Sequence, residues 1–194
     1  MLAEMNLPDP NINVAEFYLF DTNVILGLFF ENNKRSRHFV SDFAPYRKRL
    51  AGAVLDGILK NGCITSAVFS EAIGVSKEHE NLDNRTVDER VGKFISNPSM
   101  ILYKIVTPDS DHKNLQEVYS YLCKNLSRGS RGELSVLMAS LISGIPLVVS
   151  DDNTLYRSTV RNYIANRFKE RFPPKYTKNF DILTSKDFCA LKQI

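Results

Sequence analysis

The chain has 194 residues, 43% of them hydrophobic, which is enough for one substantial core and gives no sign of a second domain, so residues 1–194 are read as a single unit. A formal net charge of only +3 excludes a molecule that grips nucleic acid with its whole surface; any such affinity has to come from local patches. Three cysteines, Cys63, Cys123 and Cys189, are odd in number and lack paired metal-ligand spacing, which argues against a disulfide framework and a zinc site and fits a reducing, cytoplasmic setting.

In chain order, the N-terminus carries Glu4 and Asp9 with no basic start before an apolar run, and so does not read as a signal peptide. Glu16 to Phe20 predicts a short apolar strand, followed by a helix in which Val24, Ile25, Leu28 and Phe29 recur at helical spacing. The apolar stretch from Phe17 to Phe30 is short for a membrane span and carries Asp21, so no membrane partner is expected. Residues 36–60 predict helix interrupted or kinked at Pro45, with Phe39, Phe43, Leu50, Val54, Ile58 and Leu59 on one face. Cys63 to Thr65 predicts a second strand running into a helix from about Ser66, and residues 84–95 a weaker helix. Ile101 to Val106 predicts a third strand, residues 110–125 and 130–143 two helices, and Gly144 a helix stop before a strand from Pro146 to Ser150. A helix over 153–169 with Val160, Ile164 and Phe168 at its core, a break at Pro173-Pro174 and a strand from Phe180 to Leu183 complete the pattern. Strands alternating with helices and no hairpin signals predict an α/β fold: a parallel sheet covered on both faces.

Acidic residues sit where these strands hand over to helices or loops: Asp21, Glu71, Glu133 and the pair Asp151-Asp152. Each has an ordinary use. Asp21 can cap a helix, Ser130 and Glu133 form a capping-box pattern, Glu71 suits a solvated helix face and Asp151-Asp152-Asn153 a polar turn. Their shared position is the stronger observation, because in a parallel sheet the carboxyl ends of the strands lie side by side and remote acids can meet in one crevice. Clustered carboxylates repel one another unless one is protonated or a cation is present. An all-oxygen set without His or Cys suits Mg²⁺ or Mn²⁺, and water on such an ion loses a proton more readily and can attack a phosphodiester. His38, His79 and His112 do not flank the acids and read as surface or helix residues.

From Arg157 to Lys178, Lys and Arg outnumber a lone acid, Glu170, and are interleaved with Tyr163, Phe168, Phe172 and Tyr176. Basic residues can neutralise phosphates and aromatic faces can stack bases, although packing in the interior is the commoner use of such aromatics. Arg157 and Arg161 belong to this segment; Arg128 and Arg131, just ahead of Glu133, are closer to the acids and rank higher as phosphate contacts.

The same segments resemble the PIN-domain nucleases. Asp21-Thr22-Asn23 ends the first strand, Glu71 follows the second, Gly132-Glu133 opens a helix rich in small and apolar residues, Ser150-Asp151-Asp152-Asn153-Thr154-Leu155 matches a late T-x-D-x-x-L/F element, and FDILTSKDF looks like a closing strand and short helix. The resemblance implies a three-layer architecture with a central parallel sheet of about four to five strands flanked by helices. It implies a metal-dependent endoribonuclease in which Asp21, Glu71, Glu133 and Asp152 hold Mg²⁺ or Mn²⁺ and carry catalysis. Thr22, Asn23 and Ser150 support them, Ser150 by orienting Asp152 or a water. Side chains alternate along a strand, so one of the acid pair is a bystander; the register favours Asp152 as the ligand, with Asp151 the alternative. RNA, single-stranded in preference to duplex, is the implied substrate. Family members of this size are often toxins of toxin–antitoxin pairs, implying a small antitoxin partner and a homodimer; this chain differs from a minimal toxin in its long segment between Asp21 and Glu71 and its polar stretch from Ser76 to Arg90. The rival readings are a phosphoryl-transfer or receiver protein, disfavoured because position 23 is Asn and the acid pair comes late, and a catalytically silent scaffold of the same fold that binds RNA or protein.

Overall fold

Tyr18, Leu19 and Phe20 are all buried, as a strand covered on both faces requires, and they form the inner strand around which the molecule is organised. The computed structural model describes residues 3–5, 13–29, 42–79, 85, 89, 100–103, 112–126, 131–172 and 179–194. Among them are six strands: β1 (Ala3–Met5), β2 (Tyr18–Phe20), β3 (Gly62–Thr65), β4 (Met100–Tyr103), β5 (Leu147–Val149) and β6 (Asp181–Leu183). They make one sheet in the order β1-β4-β3-β2-β5-β6, with every neighbouring pair parallel. The sheet therefore exceeds the expected four to five strands, the unanticipated member being β1, which pairs with β4. From β2 the chain moves outward through β3 to β4, then returns to lay β5 and β6 on the other side of β2. The direction reverses between β2 and β5, and a ligand crevice is expected at the carboxyl ends of those two strands.

Seven helices lie among the described residues: α1 (Thr22–Phe29), α2 (Ala44–Leu55), α3 (Ser66–His79), α4 (His112–Asn125), α5 (Arg131–Ser143), α6 (Ser158–Arg171) and α7 (Ser185–Lys192). Helix α2 packs against α1 and α7, and α5 against α4 and α6, giving the helical layers on either side of the sheet; α3 touches both α1 and α5. Across one face Tyr18 and Phe20 meet Phe188 of α7 edge to face, with ring centroids 4.9 and 6.1 Å away. Helix α5 is buried through most of its length, from Gly132 to Ser143, and its hydroxyls are satisfied locally: Ser140 Oγ donates to Ile145 O at 2.6 Å and Ser143 Oγ to Ala139 O at 2.7 Å. It stops as expected at Gly144, whose φ of +79° suits glycine, and where a side chain would meet the Phe172 ring at 3.2 Å.

Three local expectations are revised. Pro45 lies in the first turn of α2, where its missing N–H costs nothing, so a helix begins there, as an interruption of the pattern allows, and is not kinked by it. Gly57, at φ +70°, then turns the chain, leaving Leu59 buried but Ile58 exposed, off the face it was expected to share. Helix α6 begins at Ser158, not near residue 153, because Asp152 Oδ1 takes the Thr154 N–H at 2.7 Å and its carbonyl the Leu155 N–H at 3.2 Å, closing a turn there. Val160, Ile164 and Phe168 are buried on α6 as anticipated. Of the helix expected over 84–95, only Arg85 and Glu89 are described; they are helical and paired at 3.1 Å. The helix proposed over 36–41, Phe39, His38, Tyr176 and residues 104–106 fall outside the described residues. All three cysteines are free thiols. No helix among the described residues is long and apolar enough to cross a membrane.

Candidate functional site

Asp21 directly follows β2 and Ser150 directly follows β5, so the chain reversal sets them side by side: Ser150 Oγ donates to Asp21 Oδ2 at 2.7 Å. The other oxygen, Oδ1, accepts the Thr22 N–H, also at 2.7 Å. The Asp21 carboxyl thus lies at the start of α1, as its capping reading allows, yet it is 2% exposed and other carboxyls are near. Burial above all pushes its pKa up to about 6, helped by the charges of Asp152 and Glu71 and opposed by the hydrogen bonds from Ser150 and Thr22.

Glu71 comes from the second turn of α3, which starts where Thr65 Oγ1 accepts the Val68 N–H at 3.2 Å. The same Thr65 hydroxyl lies 2.6 Å from Ser135 Oγ, which donates to Gly132 O at 2.7 Å, a buried link fastening α3 to the start of α5. This alignment carries Glu71 Oε2 to two donors, Thr22 Oγ1 at 2.8 Å and the Gly132 N–H at 2.9 Å. Glu71 is therefore not the solvated helix charge of its blandest reading. Thr22 joins it to Asp21, since its backbone serves one carboxylate and its hydroxyl the other.

Glu133, in the first turn of α5, hydrogen-bonds through its carboxyl to Asp152. Ser130, its proposed capping partner, lies outside the described residues. Asp152 is half-buried; burial raises its pKa, but the hydrogen bonds from Glu133 and Thr154 and the charge of Arg157 outweigh it and hold the carboxyl below its usual range. Its N–H donates to Ser150 Oγ at 3.1 Å, so Ser150 connects Asp21 to the Asp152 loop. Four expected acids, Asp21, Glu71, Glu133 and Asp152, thus converge at the carboxyl edge of the sheet.

Asp151 points elsewhere. Its buried carboxylate meets Arg47 Nε of α2 at 2.5 Å and accepts the Ser185 N–H at 2.8 Å and hydroxyl at 2.9 Å, at the start of α7. The strand ends at Val149 and the chain turns at Asp152, so this turn, and not the expected alternation along a strand, separates the two acids and gives Asp151 to Arg47 and Ser185. Asn23, expected to shape the end of the first strand, accepts the Asp151 N–H at 3.2 Å and so shapes the exit of β5 as well. Sequence reasoning missed Arg47, although an arginine in register with Leu50, Ala51 and Val54 on a buried stripe signals a partner for an internal charge.

Among the expected phosphate contacts, Arg131 is exposed in the first turn of α5, within electrostatic reach of Tyr119 on α4, and Arg157 is exposed at the start of α6 beside Asp152. Arg161 pairs with Asp181, and Arg128 lies outside the described residues. The aromatics of α6 serve packing: Tyr163 stacks on Tyr121 with centroids 3.7 Å apart, and Phe168 packs between Phe172 and Phe180.

The donor chemistry suits a hard divalent cation. All the acids offer oxygen, and a cation among them would relieve the repulsion that the charges of Asp152 and Glu71 exert on Asp21. As the side chains stand, no three His, Cys, Asp or Glu among the described residues are gathered to hold a metal. No protein-family model matches the chain, and no curated protein is significantly similar to it in sequence.

Proposed function

We propose that the protein is a metal-dependent nuclease of the PIN type, cutting RNA internally, with Asp21, Glu71, Glu133 and Asp152 holding Mg²⁺ or Mn²⁺. The observation that carries this reading is the convergence of four carboxyls, from β2, α3, α5 and the turn after β5, on the crevice where the sheet reverses direction. Bound there, the cation supplies activation of a water for attack on the phosphodiester and stabilisation of the charge that builds on the phosphate. The chain's own residues do the rest. Thr22 and the Gly132 N–H fix Glu71, Ser150 ties Asp21 to the loop bearing Asp152, and the Arg47–Asp151 pair anchors that loop from behind. Arg131 and Arg157, exposed beside the acids, are placed to take backbone phosphates, which favours a strand laid across the crevice. The antitoxin partner and homodimer that the resemblance implies belong to the same proposal.

A catalytically silent scaffold is favoured by one observation, the lack among the described residues of three acids gathered as a metal site. Incubation with mixed RNA and single-stranded DNA in Mg²⁺, Mn²⁺ or EDTA separates the two. Cleavage of RNA that EDTA stops supports the nuclease; binding without cleavage in either metal supports the scaffold.

A further inference from the structure

Gly132 is the second residue of a helix that is buried around it. Glycine in a helix costs about 0.5–1 kcal/mol relative to alanine, so its place there calls for a reason. A Cβ at this position would lie 2.3 Å from Glu71 Oε2, 2.4 Å from Thr22 Oγ1 and 3.5 Å from Asp21 Oδ1. Gly52 and Gly74, also helical, would meet nothing within 4 Å. The crowding at 132 is therefore particular to the acid cluster.

We propose that Gly132 is a positioning residue: its bare Cα admits the Glu71 carboxylate and the Thr22 hydroxyl to the start of α5 and so decides where Glu71 stands relative to Asp21. The hydrogen bonds give the means. Glu71 Oε2 accepts from Gly132 N at 2.9 Å and Thr22 Oγ1 at 2.8 Å, and a methyl group at 132 would overlap that same oxygen. Alanine there has ordinary helical geometry, so the groups that yield are the Glu71 carboxylate and the Thr22 hydroxyl. Since the Thr22 N–H also serves Asp21, the disturbance spreads to a second acid. The catalytic consequence rests on the nuclease reading; the placement of Glu71 does not.

The test uses the full chain with Gly132→Ala, alone and combined with Glu71→Asp or Glu71→Ala. Mn²⁺ affinity by calorimetry, RNA cleavage and melting in EDTA are read for each. Gly132→Ala is expected to weaken Mn²⁺ binding by about tenfold or more, the usual effect of losing a group that orients a ligand, and to lower cleavage in step. Glu71→Asp, whose carboxylate is drawn back by a methylene, should restore part of both, and should give a folded protein if the single variant is not. In EDTA, Gly132→Ala should lower the melting temperature of the wild type, and lower it by less in the Glu71→Ala background, where only the contact with Thr22 Oγ1 remains. Equal shifts in both backgrounds, or wild-type Mn²⁺ affinity in Gly132→Ala, overturn the proposal. A background-dependent shift in a protein that binds no Mn²⁺ upholds the placement of Glu71 and removes the nuclease reading.

Discussion

Replacing Asp21 by asparagine should make the metal-free protein more stable while destroying its activity. A rise in pKa from 3.8 to about 6 means the folded state holds that proton more tightly than the unfolded chain does. On this group's account stability is greatest below pH ~4, declines as pH rises through about 6 and stays lower above it. At about 1.4 kcal/mol per pKa unit, the ionised carboxylate costs the fold about 3 kcal/mol at neutral pH. Asparagine carries no charge to bury and keeps an oxygen for the Thr22 N–H, but its amide must replace the hydrogen bond now donated by Ser150, a loss of about 1 kcal/mol. The net gain is about 2 kcal/mol, or about 4–8 °C in Tm for a chain of this length. Thermal scans in EDTA at pH 4.5 and 7.5 measure it: the two proteins should melt together at the lower pH and separate at the higher, with Asp21→Asn above. RNA cleavage in Mn²⁺ should vanish. A variant that melts at or below the wild type at pH 7.5 refutes the electrostatic argument, and one that cleaves at the wild-type rate makes Asp21 a cap and no more.

Arg47→Ala leaves the Asp151 carboxylate buried without its ion pair and should cost about 3–5 kcal/mol, seen as an earlier midpoint in urea; a change under about 1 kcal/mol would show the pair to be unimportant. Asp151→Asn and Asp152→Asn should part in their effects, the former lowering stability with activity per folded molecule kept, the latter abolishing cleavage with little loss of stability; the reverse pattern in paired melting and cleavage assays would exchange their roles. Mn²⁺ at about a hundred times its Kd should stabilise the wild type by about 2.7 kcal/mol, and a flat thermal scan at millimolar Mn²⁺ would point to the silent scaffold.

The sequence made the inner strands and buried helices legible because apolar runs broken by Gly, Pro and polar turns carry a strong signal. Leu147–Val149 and the helix Arg131–Ser143, with its stop at Gly144, were read to within a residue. β1 was not, since Ala3–Met5 is three residues long and gains its strand character by pairing with β4. The polar turn at Asp152 was among the readings, but residues 153–157 were taken into the following helix because apolar periodicity does not register a side chain that competes for the backbone N–H groups. Asp21 and Asp152 follow neighbouring parallel strands, so topology alone brings them to one edge. Glu71 and Glu133 sit on helices, Glu133 on one that follows another helix and no strand, and were singled out by position in the expected pattern and by the family resemblance. Their hydrogen-bond partners depend on distances across the fold, and Gly132 stood out only as the neighbour of Glu133 until the groups around it were known.

The adjacent acids after β5 present the chain with a near-degenerate choice. A slip of a single residue would bring Asp152 to the place of Asp151 beside Arg47, or, in the other direction, Asp151 to the place of Asp152 beside Glu133, like for like in charge and shape each time. Neither carboxylate can discriminate between those registers, so the discrimination falls to neutral groups on either side. Ser150 reaches Asp21, Asn23 holds the Asp151 N–H, and Thr154 closes the turn on Asp152. Asn23 is thereby a register pin, and its loss should produce two interconverting loop conformations, visible as exchange broadening in this segment, before it produces any loss of the fold.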